Sequence, residues 1–262
     1  MKIKPRKLTT RAVKKYGWVR DLPDGRDLLF SATIESLGAL PPKVDLRPNC
    51  PPVYDQGQLG SCTANAIAGA IEFDEIKEKK PSPWVPSRLF IYYNERVIEG
   101  TVASDSGAQL RDGVKAVANQ GVCPETDWPY VISKFKAKPP AKAFSDASQD
   151  KAREYQRIPQ VSSQMKACLA SGFPFVFGFT VYDSFESQQV ASSGIVPMPN
   201  TSTEKVLGGH AVCAVGYDDS KQAFVVRNSW GTGWGLKGYF MMPYAYMLDA
   251  QLASDFWTIR QI

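Results

Sequence analysis

Histidine is almost missing from this chain. One residue of 262, His210, carries an imidazole, so a metal centre built from several histidines is excluded. Cysteine is sparse as well. The five present, Cys50, Cys62, Cys123, Cys168 and Cys213, are widely spaced and form no CxxC pair, which argues against a zinc ribbon or a dithiol redox pair. No apolar run approaches the roughly 20 residues needed to cross a bilayer, so no membrane partner is expected. The basic opening MKIKPRKLTTRAVKKYGWVR is not followed by the apolar stretch of about 7–15 residues that marks a secretory signal. The expectation is a protein that is cytoplasmic as made, with export by another route left open. Internal repeats and low-complexity tracts are also lacking.

What is present is globular. The chain is 44% hydrophobic and 22% charged, enough apolar mass for a substantial core in one large domain or two lobes. Charge is distributed unevenly. Residues 1–40 hold nine basic and four acidic side chains, which accounts for the whole net charge of +5 and leaves the remainder neutral. This basic arm has turn signals in LPDG and SLGALPP and no sustained helical period. No aromatic-interleaved basic patch continues into the body, so nucleic acid is not an expected partner.

Downstream of the GALPPK linker the pattern divides in two. From Cys62 the apolar residues Ala64, Ile67, Ala68 and Ile71 recur at helical spacing behind Ser61, a suitable N-cap. A second helix is expected from Ser87 to Gly100, and a third over LRDGVKAVANQG with Gly121 as its stop. Residues 133–160, rich in lysine and proline, read as a long loop, followed by a short helix in SSQMKACLASG. Then the period changes: FPFVFGFTV, HAVCAVGYDD, AFVVRNS and KGYFMMPY read as strands, with a hairpin turn at Asp218-Asp219-Ser220. A mostly helical half followed by a mostly antiparallel half predicts a two-lobe α+β protein, with the helical lobe at about 54–155 and the β lobe at about 156–245.

A thiol acts chemically only as a thiolate, and unpaired N–H groups at a helix start favour that anion. Cys62 alone opens a helix. Cys168 and Cys213, in a short helix and an apolar strand, read as packing residues. A thiol nucleophile also needs a base, and His210 is the one imidazole. It follows Gly208-Gly209, which leave space beside it. The next strand ends in Asn228-Ser229-Trp230, and a hairpin brings this asparagine towards His210.

These segments, with QGQLGSC (56–62), the WPY of 128–130, GGHAVCAVGYDD (208–219) and NSWGTGWGLKGYF (228–240), resemble papain-like cysteine peptidases. The resemblance implies the papain-like two-lobe fold, with a helical lobe, an antiparallel β-barrel-like lobe and a cleft between them. It implies a thiol protease, without cofactor or metal, acting on peptides or proteins as a monomer. Residue by residue, Cys62 matches the nucleophile, His210 its base and acid, Asn228 the group that orients it, and Gln56 the side-chain donor to the oxyanion. A resting thiolate–imidazolium pair is expected. Trp230 matches the indole that shields the His–Asn bond, and Trp234 an aromatic on the leaving-group side. Gly107 and Ala108 fall where the family pairs with the substrate backbone. Gly208 and Gly209, with Leu110 and Ala211, point to a roomy apolar pocket for the side chain two residues from the cut.

The chain also departs from the pattern. Leu59 and Thr63 stand where the family has a cysteine and a tryptophan, so its usual first disulfide is not expected; Cys50 and Cys123 remain candidates for a bridge. Residues 1–40 sit where the family carries an inhibitory propeptide, ahead of a peptidase domain at 41–262. The expectation is that the stretch from Tyr16 to Pro23, with Tyr16 and Trp18 as anchors and Arg20 beside them, lies across the cleft. A silent binding scaffold, or an acyltransferase or ligase using the same acyl-enzyme, are the alternatives.

Overall fold

The computed structural model describes residues 16–38, 40–79 and 84–260. In chain order its regular elements are β1 (Trp18–Val19), α1 (Ile34–Gly38), β2 (Lys43–Asp45), α2 (Cys62–Lys77), α3 (Arg88–Ile98), β3 (Ala108–Gln109), α4 (Leu110–Gln120), α5 (Ala141–Ala147) and β4 (Glu154–Arg157). There follow α6 (Ser162–Ala170), β5 (Phe175–Tyr182), α7 (Gln188–Ser193), β6 (Val206–Asp218), β7 (Ala223–Arg227), β8 (Tyr239–Pro243), α8 (Tyr244–Leu248) and β9 (Ala253–Arg260).

Helix α2 is the axis of the helical side. Its first fourteen residues are buried on every face, because Ala64, Ala66, Ala68, Gly69 and Ala70 let neighbours approach closely. At Gly69 the Arg227 guanidinium comes so near that a Cβ would lie 2.9 Å from it. Helix α3 starts where Ser87 accepts a hydrogen bond from the Phe90 N–H, an N-cap worth about 1 kcal/mol. Helix α4 ends at Gly121, whose φ of 82° suits a residue without a Cβ.

The strands form an open antiparallel sheet in the order β4-β9-β5-β6-β7-β8, with β2 added to β6. Among the described residues the sheet does not close into a barrel, and with the helices it gives the two-lobe α+β arrangement expected from the sequence. Strand β6 separates two cores by its period of two. Ala211, Cys213 and Val215 face the helices, packed with Ile67, Ile71 and Phe90. Val212, Ala214 and Tyr217 join Phe175, Phe177, Phe179, Phe224 and Phe256 on the other face.

One expectation needs correction. The loop at 133–160 contains α5 and β4. Ala143 and Ala147 of α5 are fully buried, while β4 pairs antiparallel with β9. Strand β9, near the end of the chain, lies between β4 and β5. All five cysteines are free, so Cys50 and Cys123 are not bridged.

The arm docks along this body. Strand β1 pairs parallel with β3, Trp18 opposite Ala108. Further on, the Phe30 N–H donates to the Arg157 carbonyl at 2.8 Å and the Arg157 N–H donates to the Leu28 carbonyl at 2.7 Å, extending the sheet edge.

Candidate active site

Cys62 is the first residue of α2 and is fully buried. Ser61 holds the N-cap position without capping. Its hydroxyl instead pairs with the Tyr130 hydroxyl at 2.5 Å and accepts from the Asn65 amide at 3.1 Å, so the helix start is fixed from the side. The Cys62 sulfur is faced by the backbone N–H of Ala211, the residue after His210, and by that of Gly17 from the arm. Burial pushes this thiol up to about 12, although those N–H groups and that of Thr63 pull the other way. Burial and the helix start thus act on this sulfur in opposite directions.

His210 and Asn228 come together across the β6–β7 hairpin. His210 Nε2 lies 2.9 Å from Asn228 Oδ1, an atom that also accepts the Ser229 N–H at 2.8 Å. An oxygen that accepts from both fixes the proton on Nε2 and leaves Nδ1 as the basic nitrogen. The Trp230 indole is stacked on the imidazole at 4.9 Å and 26°, and Trp234 meets Trp230 edge-on at 5.1 Å. His210, Asn228, Trp230 and Trp234 are all buried. A buried His–Asn bond under an indole keeps its direction, because water cannot compete for it.

Gln56 is tied to the same loop. Its amide oxygen accepts from the Ser229 hydroxyl at 2.6 Å, its backbone N–H donates to the Ser229 carbonyl at 2.9 Å, and its amide nitrogen donates to the Leu59 carbonyl at 3.0 Å. Leu59 is buried in the helical-side core, where its apolar side chain takes the place of a cross-link. Thr63 is also buried and donates to the Glu95 carboxyl at 2.9 Å.

The arm occupies the groove beside these groups. The Tyr16 ring meets the His210 ring edge-on at 6.0 Å and lies 6.4 Å from Trp230, and its hydroxyl donates to Glu186. Gly17 is pressed against the Gly60 carbonyl; a Cβ there would be 1.7 Å away. The Gly17 carbonyl accepts the Ala108 N–H at 2.8 Å, and at Gly107 (φ 75°) a Cβ would collide with the Gly17 backbone. Gly208 is packed under Tyr16. Trp18 fills a slot floored by Gly178 and Gly209; a Cβ on Gly178 would meet its indole at 1.9 Å. Leu110 lies in the core and is wholly buried, while Arg20 points away from the cleft and donates to the Ala250 carbonyl at 2.5 Å.

Reading the sequence missed the groups that hold the arm. Trp18 Nε1 and the Asp21 N–H both donate to Asp255, at 3.2 and 2.8 Å, and Trp257 Nε1 donates to Asp21 at 2.9 Å. Arg111 of α4 grips Asp27 through two nitrogens at 3.0 and 2.6 Å, and Arg157 of β4 reaches Asp27 and Asp255, both at 3.1 Å. Nothing local marks Asp255 as part of a slot. Its φ of 60° within β9 is the one unusual feature, and that is a property of the fold.

Cys62 thus lies at a helix start against the backbone of Ala211, the neighbour of the Asn228-held His210. Residues 40–256 match the family described as papain family cysteine protease. The chain belongs to that family and is a cysteine peptidase. It is 45% identical, over 97% of its length and 89% of the relative's, to an uncharacterised peptidase C1-like protein of Acanthamoeba polyphaga mimivirus. It is 31% identical to chicken (Gallus gallus) cathepsin K over 73% of its length, spanning 54% of that protein. Among solved structures it resembles xylellain, a cysteine protease from Xylella fastidiosa, with a TM-score of 0.90 and 46% identity; the match covers 94% of this chain and 96% of that one. Digestive procathepsin L2 of Tenebrio molitor, at 24% identity and a TM-score of 0.74, shares the fold.

Proposed function

We propose that Cys62 and His210 cleave peptide bonds through an acyl-enzyme, and that residues 16–21 of the arm keep this site latent by covering it. The observation that carries the reading is the position of the Cys62 sulfur. It lies against the backbone beside His210, with the Gly17 backbone placed over it.

Once the arm lifts, water reaches the sulfur and its desolvation penalty falls. The start of α2 then favours the thiolate, and His210 Nδ1 takes the proton. The sulfur attacks the substrate carbonyl carbon. The Cys62 N–H, an unpaired donor at the helix start, and the second N–H of the Gln56 amide receive the developing oxyanion. His210 returns the proton to the leaving amine as the C–N bond breaks, giving a thioester. Water, deprotonated by the same imidazole, then attacks the thioester and releases the acid. Asn228 holds the ring in the required tautomer throughout.

The slot now filled by Trp18 receives a substrate side chain when the arm is gone. Two glycines give it width and apolar walls, so bulky hydrophobic side chains are favoured. Asp255 at its end adds an acceptor for a donor-bearing aromatic such as tryptophan.

The test is labelling of the full chain with a thiol-directed covalent probe. In Gly17→Val, whose side chain cannot fit beside Gly60, Cys62 is expected to react far faster than the other four thiols, and His210→Ala in that background to slow it by roughly 10²- to 10⁴-fold. Equal reactivity of Cys62 with and without His210 sinks the dyad. Equal reactivity of the native chain and folded Gly17→Val sinks latency.

A further inference from the structure

Behind the start of α2 lies a carboxyl group that the reaction described above does not use. Glu95, on α3, is wholly buried. Its Oε2 accepts the Thr63 hydroxyl at 2.9 Å, while its Oε1 has no hydrogen-bond partner among the described residues. Gly113 of α4 closes over that bare oxygen: a Cβ there would lie 2.4 Å from Oε1 and 2.3 Å from the Ile67 side chain. Thr63 directly follows Cys62, is itself fully buried, and its backbone N–H faces the Cys62 sulfur. One residue thus meets the carboxyl with its side chain and the sulfur with its main chain.

The groups facing Glu95 come from three helices. They are Cys62, Thr63 and Ile67 on α2, Arg96 and Glu99 on and just after α3, and Asp112 and Gly113 on α4. Arg96 is the cation among them, but its guanidinium is spent on the carbonyls of Tyr92, Val102, Ser104 and Phe135. A carboxylate with one donor and one bare oxygen in a dry enclosure carries a large desolvation penalty, and such a group takes up a proton instead. Burial accordingly pushes Glu95 well above the usual carboxylate range; Glu99 and Asp112 add to this, and the Thr63 hydrogen bond and Arg96 oppose it. A negative charge on Glu95 would also work against an anion on Cys62.

We propose that Glu95 is a positioning residue for the nucleophile: as an uncharged acid it pins the Thr63 hydroxyl, and through Thr63 the N–H that faces the Cys62 sulfur. The inference rests on the reading of Cys62 as the nucleophile. Thr63 lies in the first turn of α2, where backbone N–H groups have no partner within the helix. Anchoring its stiff, β-branched side chain on a buried acceptor fixes the direction of that N–H before the sulfur ionises, so no reorganisation is needed when charge develops. An ionised carboxylate would anchor Thr63 as well but would oppose the thiolate by like charge. An apolar side chain would leave the buried hydroxyl without its acceptor. An acid that keeps its proton meets both demands. The pair is a departure of this chain, because Thr63 stands where the family has a tryptophan.

The experiment follows labelling of Cys62 by a thiol-directed probe against pH, in the full chain carrying Gly17→Val and in the same chain with His210→Ala added. In Glu95→Gln, which keeps the acceptor and cannot ionise, the midpoint of the profile should stay in place and the rate should stay within about threefold. In Glu95→Leu the N–H loses its anchor, so the midpoint should move up by about one pH unit and labelling at neutral pH should slow roughly tenfold. Thr63→Val removes the same bond from the other side and should give the same shift, and the double variant Glu95→Leu/Thr63→Val should add nothing to either. Should Glu95→Leu not fold, Thr63→Val carries its expectation. A midpoint moved by about one unit in Glu95→Gln, in either direction, overturns the proposal. So does an unmoved midpoint in folded Glu95→Leu or Thr63→Val, or shifts that add in the double variant. The two readings fail separately. If His210→Ala leaves labelling unchanged, the dyad fails; the Glu95→Leu shift runs through Thr63 and should appear in both backgrounds whichever way that result falls.

Discussion

The two ends of the docked arm meet the body by opposite means. From Tyr16 to Trp18 the fit is one of shape. Gly17, Gly60, Gly107, Gly178, Gly208 and Gly209 leave room where any Cβ would collide with a neighbour. From Asp21 to Asp27 the fit is one of charge, with Arg111 and Arg157 clamping carboxylates that are almost wholly removed from water. The difference separates blocking from tethering. The shape end fills the groove beside His210 and the slot above Gly178. The charge end ties the arm to α4 and β4.

The comparison is broken most severely by removing its main cation. Arg111→Met keeps the stem beside Trp257 and leaves Asp27 buried with a single guanidinium. Breaking such a pair costs about 3–5 kcal/mol, enough to lift the arm, so the rate of Cys62 labelling should rise by roughly 10²-fold or more. Next is the oxyanion donor, which belongs to neither end of the arm. Gln56→Ala in the Gly17→Val background should lower peptide hydrolysis by roughly 10²- to 10³-fold. Gly178→Ala attacks the shape end from the body side. Overpacking of this kind costs about 1–3 kcal/mol, so labelling should rise by roughly 5- to 100-fold with the tether intact. High salt sharpens the contrast further. The tethering pairs are shielded from solvent, so about 1 M salt should change labelling of the native chain by less than about threefold. Last, a reducing agent should leave the melting temperature where it is. No cysteine is bridged, so the roughly 2–5 kcal/mol at stake in losing a native disulfide is not in play.

Much of the catalytic region was legible because its signals are local. Ser87 and Gly121 bound their helices as capping chemistry requires. The apolar runs of β5 and β6 read as strands without reference to their partners. Cys62 at a helix start and His210 and Asn228 on adjacent hairpin strands followed from spacing within short segments. Helix α5 was not legible, because seven residues are too few to display a helical period. Strand β4 was not, because its pairing with β9 joins segments about a hundred residues apart. The long region between them reads as polar loop when taken alone.

The sequence by itself determined that one sulfur begins a buried helix, that one imidazole faces an asparagine across a hairpin, and that the charge lies in the arm. These depend on neighbours along the chain. Only the tertiary structure decided that the sulfur is buried, that Trp18 lies against Gly178, and that Asp21 meets Asp255 from 234 positions away. Burial and like-charge contact are properties of which distant segments share a space. They shift the proton affinity of buried groups, and no spacing rule along the chain encodes them.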